Sequence, residues 1–188
     1  MSATPFHQRL ERAWQLSRTA LCAGVEPRPD GAPPCFGEGP GAVEAWGRAL
    51  IEAAGPHAAA FKFQIAHFAA LGAEPTLERL IAHARSAFPD LLLMLDAKRS
   101  DIGSTAEYYA REAFERYGAD AVTVNPYLGS DAVEPFLRWK DRGTVVLCHT
   151  SNAGAAEFQG APPEGGVPLY ERVALAARRS SAGPLGMS

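Results

Sequence analysis

Leu91-Leu-Leu-Met-Leu-Asp-Ala-Lys-Arg-Ser-Asp-Ile102 runs five apolar residues straight into four charges within six positions. A run that is apolar at every position belongs to a strand covered on both faces, as in a parallel sheet. Asp96 and Lys98 lie two apart at the strand end, so both side chains face the same way. Asp101 follows in the turn that leads to the next helix. A buried strand that delivers charges at its C-terminal end is the pattern of an α/β active face.

Outward from this stretch, similar short apolar runs recur at Ala20–Val25, Ala59–Ile65, Ala121–Val124 and Thr144–Cys148. Helical patterns separate them. Thr4-Pro5 reads as an N-cap with proline at the first helical position, ahead of Phe6, Leu10 and Trp14. Ser104-x-x-Glu107 reads as a capping box for a helix to Tyr117 that Gly118 closes. Asp131-x-x-Glu134 reads as another helix start, and Pro168 opens a last helix to about Arg179. Alternating strands and helices predict a parallel sheet.

No G-x-G-x-x-G follows the first strand and there is no Walker loop, which removes support for the common nucleotide-binding sheets. Polar residues cluster instead just past several strands: Glu26, Asp96 with Lys98, Asn125, and Thr150-Ser-Asn152. The fold class expected is therefore α/β, a TIM (β/α)8 barrel, with five of its eight βα units in a single domain spanning 1–188. A whole barrel takes about 250 residues, so a chain of 188 residues reads as a barrel cut short at its C-terminus. Pro27–Gly41 and Gly160–Gly166 are expected as long loops on the active face. The stretch from Ser180 to Ser188 is expected to be turn-like.

Formal net charge is −3, from 18 Lys+Arg and 21 Asp+Glu. A nucleic-acid binder would carry a basic stripe, so no nucleic-acid partner is expected. No apolar run approaches the roughly 20 residues of a membrane span, and the first residues lack the basic and apolar regions of a secretory signal. Cys22, Cys35 and Cys148 are too few and too scattered for a disulfide frame or a zinc site. A reducing cytoplasm is expected. Cys22 and Cys148 read as small core residues, and Trp14, Trp46 and Trp139 as core or helix-packing residues.

Lys62, in Phe61-Lys-Phe-Gln64, is a charge inside an apolar strand. Lys62, Asp96, Lys98 and Asp101 aimed at one barrel mouth would be costly unless they compensate one another or a ligand. Solvated strand-end charges in ordinary salt bridges are the alternative for Asp96 and Lys98 alone. Lys62 tips the balance toward function.

These residues resemble the orotidine 5′-phosphate decarboxylase family, over nearly the whole chain. Leu21-Cys-Ala-Gly-Val-Glu-Pro27 is similar to the family's first strand and Phe61-Lys-Phe-Gln64 to its second. Asp96-Ala-Lys-Arg-Ser-Asp101 fits its Asp-x-Lys-x-x-Asp signature. Val122-Thr-Val-Asn-Pro-Tyr-Leu-Gly129 and Thr150-Ser-Asn152 resemble the fourth and fifth strand ends of the longer bacterial branch. The signature is shared with metal-dependent 3-keto-gulonate-phosphate decarboxylases and hexulose-phosphate synthases; Lys62 and the two later segments select the orotidylate branch.

The resemblance implies conversion of orotidine 5′-monophosphate to UMP and CO2 in pyrimidine biosynthesis, with no cofactor and no metal. It implies that Asp96 lies beside the departing carboxylate, that Lys98 protonates C6, and that Lys62 holds the array. Asp101 would act across a homodimer interface, accompanied by Ile102 and Thr105. Glu26 stands where the family has an aspartate on the ribose hydroxyls, and a solvated loop carboxylate is its alternative role. Ser151 would bond the pyrimidine ring, or else act as a local turn hydroxyl. Ser100 replaces a glycine, which costs strain if that position needs positive φ. His149 stands in place of an arginine, as a structural substitution.

The family's phosphate-gripping loop and arginine, after its seventh and eighth strands, have no counterpart after Ser151, and helical Arg178-Arg179 is a poor substitute. Two competing expectations follow: an inactive truncated remnant, or a metal-dependent phosphosugar decarboxylase or aldolase of the same superfamily. The 188 residues alone are expected to be loosely folded and catalytically weak.

Overall fold

The computed structural model describes residues 4–28, 31–160 and 164–181. Its strands are β1 (Cys22–Val25), β2 (Ala60–Gln64), β3 (Leu92–Arg99), β4 (Ala121–Val124) and β5 (Gly143–Val146). The helices are α1 (Phe6–Ser17), α2 (Pro40–Ala54), α3 (Ile65–Ala69), α4 (Glu74–Ala87), α5 (Gly103–Arg111), α6 (Glu134–Leu137), α7 (Ala155–Gln159) and α8 (Leu169–Ser181). The strands are all parallel and stand in the order β1-β2-β3-β4-β5. A doubly wound sheet reverses its strand order at a switch point, whereas a barrel adds each strand beside the last. Sequential order without reversal is that of successive units of a (β/α)8 barrel. Among the described residues, no helix is long and apolar enough to cross a membrane.

Helices α2, α4 and α5 cover the sheet over a continuous core that includes Ile51, Phe61, Phe63, Leu77, Leu80, Leu93, Leu95, Val122 and Val124. All four residues of β4, which lies between β3 and β5, are buried. Helix α1 lays Phe6, Leu10 and Ala13 over Ala59, Ala60 and Leu92 in a second, smaller cluster.

The five expected strands are all present, but several helix and burial readings need correction. Helix α1 begins after Pro5 with no side-chain cap, so Thr4 does not cap it. Ile102, in extended conformation, precedes α5 without a side-chain cap. Ser104 thus sits inside the first turn, and Glu107 pairs with Arg138 at 2.7 Å instead of closing a capping box. The helix passes into a π-helical segment, Glu112–Arg116, before Gly118 at φ 59° ends it as expected. Asp131 lies in a 3-10 turn, and α6 spans only Glu134–Leu137.

Cys22 is exposed because β1 is an edge strand, and half-buried Cys148 lies past the end of β5. Neither is a core residue. Trp14 is 44% exposed, whereas Trp139 packs against Phe114 with ring centroids 5.4 Å apart. The loop Pro27–Gly41 contains a 3-10 turn, Pro34–Phe36, and the start of α2. Residues 29–30, 161–163 and 182–188, which fall in the expected loops and tail, lie outside the described residues. Arg178 and Arg179 are in α8, as expected.

Candidate functional site

Strands β1, β2 and β3 bring Glu26, Lys62, Asp96 and Lys98 together at their C-terminal ends. Register explains the convergence: Lys62 pairs with Gly24, two residues before Glu26, and Gln64 pairs with Asp96. Lys62 Nζ lies 2.6 Å from Glu26 Oε1 and 3.5 Å from Asp96 Oδ2. Lys98 Nζ lies 2.7 Å from both oxygens of Asp96. Charges of alternating sign thus run through the array, and the only nearly buried member, Asp96 at 6% exposed, holds two ammonium groups.

Burial alone pushes the Asp96 carboxyl up, but hydrogen bonds from Lys98 and Thr123 and the charges of Lys98 and Lys62 hold it below its ordinary value. Burial pulls Lys62 down, yet its hydrogen bond to Glu26 and the charges of Glu26 and Asp96 win and raise it. Both groups are therefore ionised at neutral pH.

Asp96 and Lys98 do not stand just past the strand, as the sequence suggested; β3 continues to Arg99. It pairs Leu95 with Val122 and Arg99 with Val124, so four steps along β3 match two along β4. Lys98 takes up the excess with a φ of 47°. The left-handed position is thus Lys98 and not Ser100, which resolves the strain expected at the serine. Arg99 then turns away from the array to pair with Glu112 at 2.9 Å and to stack on Tyr109.

Sequence reasoning missed two polar members. Gln64 Nε2 donates to Asp96 Oδ2 at 2.9 Å, and the Thr123 hydroxyl lies 2.7 Å from Asp96 Oδ1. The signals were available: Gln64 shares a strand face with Lys62, and Thr123 is the polar residue in Ala121-Val-Thr-Val124.

Four other predicted residues stand apart from the array. The Asp101 carboxylate accepts the Ile102 N–H at 2.8 Å, and no hydrogen bond or ion pair joins it to Asp96 or Lys98. Ile102 is 57% exposed, and Thr105 and Ser151 are also exposed. His149 packs edge-on against Tyr170 with centroids 5.0 Å apart, a structural contact. Among the described residues, no three His, Cys, Asp or Glu side chains come together as a metal-binding group.

Residues 47–187 match the family described as orotidine 5′-phosphate decarboxylase / HUMPS. The chain belongs to that family. Within the orotidine 5′-phosphate decarboxylase / HUMPS family, an orotidine 5′-phosphate decarboxylase of Bordetella petrii is 53% identical over 169 residues, covering 90% of this chain and 62% of its own length. One of Ralstonia nicotianae is 46% identical over 184 residues, covering 97% of this chain and 68% of its own. The solved OMP decarboxylase of Leishmania donovani superposes with a TM-score of 0.83 at 35% identity, over 96% of this chain and 67% of that one. This chain thus spans about 62% of the length of the Bordetella relatives it matches. The family match contains Lys62, Asp96, Lys98 and Asp101, while Glu26 lies ahead of it.

Proposed function

We propose that these residues form the reacting half of a decarboxylase that converts orotidine 5′-monophosphate to UMP and CO2. The observation that carries this reading is the Lys62–Asp96–Lys98 array, with Lys98 Nζ 2.7 Å from the carboxylate of Asp96. The bond from C6 to the carboxyl carbon breaks, CO2 leaves, and its electron pair stays on C6. Lys98 delivers a proton to that carbon from Nζ and regains one from water. A fixed ammonium beside developing negative charge stabilises the transition state without reorganising. Asp96 holds that ammonium in place, and Lys62 ties Asp96 to Glu26, the residue assigned to the ribose hydroxyls. Ser151 is assigned to the pyrimidine ring.

Asp101, with Ile102 and Thr105, is assigned to the site of a second copy. The support is that Asp101 takes no part in the array of its own chain, while its neighbour Ile102 is an exposed apolar side chain. A symmetric dimer would cover such a residue. All three cysteines are free, in keeping with a reducing, cytoplasmic setting.

The test is turnover of orotidine 5′-monophosphate, followed by CO2 release, by the chain fused to the part of the Bordetella petrii relative that it does not match. Turnover unaffected by a chelator is the expected result. Turnover that requires a divalent metal would favour a phosphosugar-type enzyme and overturn the reading.

A further inference from the structure

Thr123 sits in the middle of β4 and is 7% exposed. Its Oγ1 accepts the backbone N–H groups of both Ala97 and Lys98, each at 3.0 Å. A hydroxyl has two acceptor lone pairs and one proton. With both lone pairs engaged, the proton is committed to the remaining neighbour, Asp96 Oδ1, at 2.7 Å.

These bonds fall where β3 carries its excess residues against β4 and where Lys98 adopts its left-handed backbone. Such a conformation is unfavourable for a lysine and persists only where its surroundings fix it. The Thr123 side chain supplies an acceptor there for two consecutive N–H groups. One atom of β4 thus sets both the backbone of Lys98 and the carboxylate that Lys98 faces.

We infer that Thr123 is a positioning residue for the Asp96–Lys98 pair: its oxygen holds the turn that aims Lys98, and its proton keeps Asp96 hydrogen-bonded after the lysine has given its own proton away. The second half of this role rests on the decarboxylase reading above. Once C6 is protonated, Lys98 is a neutral amine and Asp96 has lost its closest positive charge. Lys62 at 3.5 Å and the amide of Gln64 at 2.9 Å remain, and Glu26 holds Lys62 from the other side. The bond from Thr123, like that from the Gln64 amide, comes from an uncharged donor, and it is the shorter of the two. It keeps Asp96 an acceptor, so the amine recovers its proton from water and not from a carboxyl group. The hydrogen bond from Thr123 is also among the causes that hold the Asp96 carboxyl below its ordinary value.

Thr123→Val keeps the shape and removes the hydroxyl; Thr123→Ser keeps the hydroxyl. In the 188-residue chain, the carboxyl carbon of Asp96 followed by NMR should titrate at higher pH in Thr123→Val and unchanged in Thr123→Ser. In the unaltered chain, the Thr123 hydroxyl proton should be protected from exchange with water. Where turnover is measured, kcat should fall about 10- to 100-fold in Thr123→Val with KM nearly constant, and Thr123→Ser should restore it. An unchanged Asp96 titration in Thr123→Val overturns the proposal, as does a Thr123→Ser chain as impaired as the valine variant. If Thr123→Val does not fold, a hydroxyl proton that exchanges freely in the unaltered chain overturns it, and a protected one supports it. Absence of turnover in the completed fusion counts against the decarboxylase reading, while titration and exchange still decide the placement of Thr123.

Discussion

Glu26 Oε1 lies 2.6 Å from Lys62 Nζ, while Asp96 Oδ2 lies 3.5 Å from the same nitrogen. Lys62 therefore leans toward the edge strand and leaves the carboxylate of Asp96 mainly to Lys98, which sits 2.7 Å from both its oxygens. The longer arm of glutamate makes this division possible. It reaches back from the end of β1 to the middle of β2 and takes one lysine out of competition for Asp96.

Glu26→Gln tests that division. The amide keeps an oxygen for Lys62 but loses the charge that draws it across. Lys62 should move toward Asp96 and compete with Lys98, lowering kcat by about tenfold without loss of secondary structure by circular dichroism. An unchanged kcat would mean that Glu26 is only a solvated loop carboxylate.

Lys98→Ala removes the proposed proton donor and, with it, the cation proposed to face the developing charge. General acid catalysis contributes about 10²- to 10⁴-fold and an electrostatic donor about 10²- to 10³-fold. Steady-state turnover of the completed fusion should accordingly fall by at least about a thousandfold. Near-normal turnover would remove Lys98 from the mechanism.

Asp101 is spent on the Ile102 N–H within its own chain and is proposed to serve a neighbour. Mixing Lys98→Ala chains with Asp101→Ala chains would then create hybrid dimers in which one site carries both lesions and the other carries neither. Some activity should return on mixing. No recovery, with subunit exchange demonstrated by mass spectrometry, would place Asp101 in its own chain's site or in none.

How much of this was legible in the sequence depends on the range of the interactions involved. The strands were readable because burial on both faces leaves plain apolar runs; β4 matches its expected ends, Ala121 and Val124. The end of β3 was not. Asp96 to Arg99 reads as charge beyond a strand, and nothing marks Lys98 as left-handed when no glycine stands there. The capping box failed because α5 starts right after Ile102, which leaves Ser104 inside the first turn, and Glu107 pairs with Arg138, 31 residues away, a partner no local pattern reveals. Gln64 and Thr123 carried visible signals, polar residues at strand positions, but the carboxylate they share lies 32 and 27 residues from them.

The array should leave a two-sided mark on stability. Asp96 has a lowered value in the folded chain, so its contribution is complete above the value of an unfolded aspartate. That contribution is lost as pH falls through the lower folded value. Lys62 has a raised value, so its contribution is complete below the value of an unfolded lysine and is lost as pH rises through the higher folded one. The thermal midpoint should be flat with respect to this array around neutrality and fall toward both extremes. Asp96→Asn should weaken the acid-side fall, and Lys62→Met the alkaline one. Scanning calorimetry from acid to alkaline pH would show identical profiles if the array contributed nothing.

Asp120, just ahead of β4 at the opposite end of the sheet, is 1% exposed and holds the elements that meet there. Its Oδ2 accepts from Arg85 of α4 and from the Leu93 N–H of β3, both at 2.8 Å. Its Oδ1 accepts from Arg9 of α1 and lies 3.4 Å from Arg142, the residue before β5. The chain distances to the arginines are 35, 111 and 22 residues, which is why a lone aspartate in the sequence gave no sign of this role. At the N-terminal pole of a barrel such a centre serves stability, not chemistry. Asp120→Asn keeps the size but leaves three guanidinium groups around a neutral amide. Removing one partner of a buried ionic cluster costs about 3 kcal/mol or more, so the urea midpoint should drop clearly. In the fraction that remains folded, kcat should match that of the unaltered chain, because the array lies at the other end of the strands. A variant with an unaltered urea midpoint would show that the arginines are satisfied by solvent, and a selective loss of kcat would place Asp120 in the catalytic machinery.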